Sequence, residues 1–102
     1  MKETLRQKQS RFIRMFGLLL HWAEQHGYEL TFPSEALGHK KNSLHYCGLA
    51  KDLNLFIDGK YMASTEAHRP MGEFWESLGG TWGGRFSNSD GNHYSLEHGG
   101  VK

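Results

Sequence analysis

The chain predicts an α+β fold, a small antiparallel β-sheet packed against helices, from three features of its order. A long segment with helical periodicity comes first, short segments with a period of two fill the middle, and a shorter helical segment precedes a glycine-rich tail. In the first segment Phe12, Met15, Phe16, Leu19 and Ala23, with Trp22 beside them, recur every three or four residues, while Arg11, Arg14, Glu24 and Gln25 fall elsewhere. This spacing predicts an amphipathic helix from Leu5 to Gln25, ended by Gly27. Tyr28–Phe32 alternates like a half-buried strand closed by Pro33, and Ser34–Asn42 has the composition of a loop. From Leu49 to Ile57 a single strand is expected, with Leu49, Leu53, Leu55 and Ile57 on one face and Gly48, Ala50, Asp52 and Asn54 on the other. Asp58-Gly59 reads as a tight hairpin turn returning through Lys60–Met62. Ser64 or Thr65 would cap a second helix whose apolar stripe is Met71, Phe74, Trp75 and Leu78, before Gly79-Gly80 end it. The remaining Trp82–Phe86 and Asn92–Leu96 read as loop and short strand.

A chain of 102 residues is expected to form one domain over 1–102. Its three Trp, six Phe and four Tyr indicate a folded core rather than disorder. The net charge of +1 gives no whole-molecule pull toward nucleic acid or membrane. Lys2, Arg6, Lys8, Arg11 and Arg14 stand against Glu3 alone in the first fourteen residues, and this excess reads as a solvated helix face. No stacking or groove-reading motif accompanies it, so no nucleic-acid partner is expected. Cys47 is the sole cysteine, which excludes an internal disulfide. The apolar run Phe16–Leu20 is too short for a signal peptide or a membrane span, so no membrane insertion is expected and the chain reads as made in a cytoplasm.

Of seven histidines, His21, His26, His39, His68 and His98 lack companions and are expected at the solvent surface. His45 and His93 differ. His45 stands two residues after Ser43 and seven before Asp52, and His93 three after Asp90. Two imidazoles and one carboxylate are a donor set that holds Zn²⁺ and leaves a fourth position for water. By spacing alone, His45 and Asp52 read as a hydrogen-bonded histidine and a turn aspartate rather than as a ligand pair. Cys47 reads as a small apolar residue rather than a thiolate ligand.

The run Ser43-x-His45-x-x-Gly48-x-Ala50-x-Asp52-Leu53 resembles the Ser-x-His-x-x-Gly-x-Ala-x-Asp signature of the D-alanyl-D-alanine carboxypeptidase-like zinc peptidases, and Asp90-x-x-His93 is similar to their closing Asp/Glu-x-x-His motif. Asp52–Phe56, His68-Arg-Pro70, Trp75–Gly79 and Gly80–Phe86 resemble the bacteriophage and prophage branch, whose members include L-alanyl-D-glutamate endopeptidases. The resemblance implies a hedgehog/D-Ala-D-Ala peptidase-like fold. It implies Zn²⁺ held by His45, Asp52 and His93. Asp90 would take a proton from the attacking water and pass it to the leaving amine, and Ser43 would line the site or bind substrate. Trp82, flanked by Gly83 and Gly84, reads either as a wall of the cleft or as a core aromatic beside a turn.

Family members usually carry an arginine between the first strand and the Ser-x-His motif. Here Phe32–Asn42 contains only Lys40 and Lys41. Either a lysine or a distant residue such as Arg85 substitutes, or substrate binding is weaker or different. The implied activity is that of a phage-type endolysin: a peptidoglycan stem-peptide hydrolase, with the L-Ala–D-Glu bond as first expectation and D-Ala-D-Ala carboxypeptidase action as second. A non-catalytic relative that binds wall peptide or a protein is the alternative. The protein is expected to be a monomer that stays in the host cytoplasm until the membrane is permeabilised and then reaches the cell wall.

Overall fold

Thr4 opens the first helix, α1 (Leu5–Gln25), with a reciprocal cap: its hydroxyl accepts the Gln7 N–H while the Gln7 side chain accepts the Thr4 N–H. The structure, a computed structural model, describes residues 2–34, 43–45 and 47–102. Most of the expected Ser34–Asn42 loop, with His39, Lys40 and Lys41, lies outside the described residues. Helix α1 buries Phe12, Met15, Leu19 and Ala23, the stripe its periodicity predicts, and Phe16 and Trp22 flank it half-buried. Among its basic residues Arg11 pairs with Glu3 at 2.9 Å on the exposed side, where water screens the contact.

Strand β1 (Tyr28–Thr31) pairs antiparallel with β3 (Asn54–Ile57), and β3 pairs with β4 (Lys60–Tyr61). The two-residue turn between β3 and β4 has both central residues at positive φ, 51° at Asp58 and 77° at Gly59. That is the Asp-Gly turn whose twist matches a hairpin.

The expected single strand from Leu49 to Ile57 is instead two. Strand β2 (Ala50–Asp52) and β3 are separated at Leu53, whose side chain is buried and whose N–H donates to the Asn92 carbonyl at 2.9 Å. At that residue the chain leaves one sheet for the other, so the expected single sheet becomes two three-stranded ones, ordered β1-β3-β4 and β2-β6-β5. No glycine or proline marks the break, because the partner that causes it is remote in sequence.

Ser64 caps α2 (Thr65–Ser77) by accepting the Ala67 N–H at 3.1 Å. Met71 and Trp75 are fully buried, and Phe74 and Leu78 half-buried. The edge of the Phe12 ring meets Trp75 at 5.6 Å, joining the apolar stripes of the two helices. After α2 come β5 (Thr81–Trp82), a 3-10 turn (Gly83–Arg85) and β6 (His93–Ser95), the middle strand of the second sheet. Leu49, Leu53, Tyr94 and Leu96 complete the core beneath it. Among the described residues no helix is long and apolar enough to cross a membrane.

His68 corrects one expectation. It is 2% exposed, not at the surface, and its Nδ1 lies 2.8 Å from the Tyr94 hydroxyl. A histidine at the start of α2 is amphipathic enough to point either way, and Tyr94, twenty-six positions on, supplies the polar partner. Burial lowers its pKa from 6.5 to about 4, because the core disfavours the imidazolium. As pH falls through 6.5 the unfolded chain therefore takes up a proton that the folded chain refuses. His68 is expected to make stability decline by up to about 1.4 kcal/mol per pH unit between pH 6.5 and 4, and to contribute no slope below that. Urea denaturation of the native chain and His68→Gln across this range checks it, and the variant should show the shallower decline.

Candidate metal centre

Two short strands and one turn converge on a single point. Asp52 in β2 and His93 in β6 are direct cross-strand partners, so their side chains share one face of the sheet. His45 arrives from the turn that leads into β2. There the Ser43 hydroxyl accepts the His45 N–H at 3.1 Å, the Leu44 carbonyl accepts N–H groups of Cys47 (3.1 Å) and Leu49 (2.9 Å), and the buried Leu44 side chain pins the turn to the core. Helix α1 braces the same turn, since Gln9 Nε2 donates to the Cys47 carbonyl at 2.6 Å.

The convergence brings His45 Nε2 to 3.5 Å and His93 Nδ1 to 3.6 Å from the same oxygen, Asp52 Oδ1. One ligand atom from each of the three residues lies within 4.8 Å of the others. Tetrahedral Zn²⁺, with bonds of about 2.0–2.1 Å, sets neighbouring ligand atoms about 3.4 Å apart, so the donor set and its spacing fit that ion. The side chains of His45, Asp52 and His93 are 16%, 23% and 8% exposed, sheltered yet open on one side. Cys47, half-buried in the turn, is outside this group.

Residues 37–96, more than half of the chain, match a family model described as D-alanyl-D-alanine carboxypeptidase. The chain belongs to this family. The carboxypeptidase match spans the His45 turn, both strands of the His-Asp-His group and the Asp90–His93 turn, and leaves α1 outside. It makes the protein a peptidase of the D-Ala-D-Ala carboxypeptidase-like group, whose members are typically zinc-dependent. A comparison with curated proteins finds no match.

Asp90 sits at the head of a tight turn that ends at His93, whose N–H donates to the Asp90 carbonyl at 3.1 Å. The Gly83 carbonyl in turn accepts the Asp90 N–H at 2.9 Å. The carboxylate is exposed, and among the described residues no side-chain hydrogen bond ties it up.

Trp82 packs into the core. It is fully buried, with an added Cβ at Gly72 or Gly84 colliding with its indole, and its Nε1–H donates to the Gly91 carbonyl at 2.7 Å. Its burial fits the core aromatic of the two readings open from sequence, and its bond to Gly91 fastens the turn between Asp90 and His93. Arg85 is paired with helix α2. Its guanidinium makes two 3.0 Å hydrogen bonds to Glu76 and lies 5.2 Å above the Trp82 ring, so its fork is occupied by a neighbouring helix. This pairing raises the already high pKa of Arg85.

Sequence reading missed three contributors. Ser95, whose hydroxyl meets His93 Nε2 at 2.9 Å, stood two positions along a strand and so on the same face, a legible signal. Gln9 gave none, because its partner is thirty-eight residues away. Gly83 read only as a turn residue, but a Cβ there would intrude on the Asp90 carbonyl oxygen and lie 2.7 Å from His93 Cβ. Gly83→Ala is therefore expected to displace the Asp90–His93 turn, lowering the melting temperature by several degrees and weakening zinc uptake together. Thermal denaturation with and without zinc checks this.

Proposed function

We propose that the protein is a zinc-dependent peptidoglycan hydrolase that cuts an amide of the stem peptide, with the L-Ala–D-Glu bond as first choice and terminal D-Ala-D-Ala as second. The observation that carries the proposal is the approach of His45, Asp52 and His93 to zinc-ligand spacing inside a sequence of this peptidase family. His45 Nε2, Asp52 Oδ1 and His93 Nδ1 would hold the ion. When bound, zinc would polarise the scissile carbonyl and lower the pKa of a water toward about 7. Asp90, carried on the turn that ends at His93, would act as the general base: it accepts the proton of the attacking water and returns it to the leaving amine. Ser43 would keep the His45 turn in register beside the substrate. The expected course inside a host, accumulation in the cytoplasm followed by access to the wall once the membrane opens, belongs to the same proposal.

The engagement of Arg85 by Glu76 favours one second reading, a relative that retains the metal and binds wall peptide without cutting it. A guanidinium already paired must give up that partner, or share itself with it, to grip a substrate carboxylate. Metal content of the purified chain, measured with release of free amino groups from purified peptidoglycan before and after chelation, separates the readings. One zinc per chain with chelator-sensitive release supports the hydrolase, and fragment masses name the bond. Zinc without release supports the binding relative, and no zinc overturns the site.

A further inference from the structure

His93 offers both ring nitrogens to its surroundings, and only one faces the metal group. Its Nδ1 lies 3.6 Å from Asp52 Oδ1, while Nε2 on the far side of the ring lies 2.9 Å from the hydroxyl of Ser95. Ser95 is fully buried and unusually well fixed. It occupies the centre of the second sheet, opposite Ala50 on one side and Thr81 on the other, and its carbonyl accepts the Trp75 indole N–H at 3.0 Å. Two positions apart on one strand, His93 and Ser95 present their side chains to the same face, so the hydroxyl reaches the ring without any loop to hold it. Phe86 packs on His93 with ring centroids 5.2 Å apart.

A serine hydroxyl both donates and accepts, but against a neutral imidazole whose Nδ1 points its lone pair at a cation it has one role. It accepts the Nε2–H. A flipped ring would set a carbon where Nε2 now meets Ser95 and a carbon where Nδ1 now meets Asp52. We propose that Ser95 is the positioning residue of the metal centre, fixing the orientation and tautomer of His93 so that Nδ1 is the metal-facing nitrogen. The inference rests on the reading of His45, Asp52 and His93 as zinc ligands. Outer partners of this kind typically change metal affinity by about 10–100-fold.

The test titrates Zn²⁺ alone into the metal-free full chain and into Ser95→Ala, Ser95→Thr and His93→Ala. Ser95→Ala is expected to weaken binding about 10–100-fold, Ser95→Thr, which keeps the hydroxyl, to recover most of the loss, and His93→Ala to lose more than either. In the zinc-loaded native chain, nitrogen-edited NMR of the imidazoles should place the His93 proton on Nε2 in slow exchange with water. That signal decides the matter even where a Ser95 variant fails to fold. Zinc bound by the native chain and lost in His93→Ala, but held equally well by Ser95→Ala, overturns the role of Ser95 and leaves the site standing, as does a His93 proton found on Nδ1. A native chain that takes up no zinc overturns the site and this inference with it.

Discussion

Asp90→Asn is expected to slow release of amino groups from purified peptidoglycan by about 10²–10⁴-fold while the chain still binds one zinc. The substitution keeps the size of the side chain and removes its ability to take a proton. It leaves the surrounding turn alone, because the contacts that hold that turn are made by the Asp90 backbone: its N–H to Gly83 and its carbonyl to the His93 N–H. The exposed carboxylate carries no structural hydrogen bond among the described residues whose loss would cloud the reading. Single-turnover rates on a defined stem peptide, measured beside zinc stoichiometry, check the expectation. A rate within a few fold of the native chain would transfer the base to another residue, and a loss of zinc would make Asp90 a ligand instead.

Asp52→Ala is expected to abolish tight zinc binding, lowering affinity by well over the roughly 100-fold that an orienting partner commands, and to remove activity with it. Asp52 is the one carboxylate of the three candidate ligands, and its Oδ1 is the atom on which both imidazoles converge, at 3.5 and 3.6 Å. Without it, two neutral nitrogens would face a dication. The effect has a readout that needs no substrate. A ligand that binds only the folded chain raises stability by RT ln(1 + [L]/Kd), about 2.7 kcal/mol at a hundredfold excess over Kd. The native chain should therefore melt higher in zinc and return to its starting temperature on chelation, and Asp52→Ala should show no rise. A zinc-dependent rise that persists in the variant would place the ion elsewhere.

Much of the local structure was legible because it depends on neighbours a few residues apart. The periodicity of Phe12, Met15, Leu19 and Ala23 set both bounds of α1 and its buried face, and Asp58-Gly59 set the β3–β4 turn. His45, Asp52 and His93 stood together as a candidate group through the resemblance of their motifs to the zinc peptidases, which spacing alone did not supply. What escaped was whatever depends on a remote partner. Leu53 breaks an apparently continuous strand because Asn92 supplies its hydrogen bond, and His68 is buried because Tyr94 is there to meet it. Nor does any local pattern show that the Trp82 indole donates to the Gly91 carbonyl or that the Arg85 guanidinium pairs with Glu76.

By itself, then, the sequence determined the helices, the hairpin turn, the α+β class and the chemistry of the three candidate ligands, since propensity, periodicity and donor type are properties of the residues and their immediate spacing. Tertiary structure decided the division into two sheets, the pairing of Asp52 with His93 across β2 and β6, the anchoring of the Asp90–His93 turn by Trp82 and Gly83, and the placing of Ser95 behind His93. These rest on contacts between segments distant along the chain. Such contacts form only when burial of the shared core brings the segments together, and no local pattern records which partner each will meet.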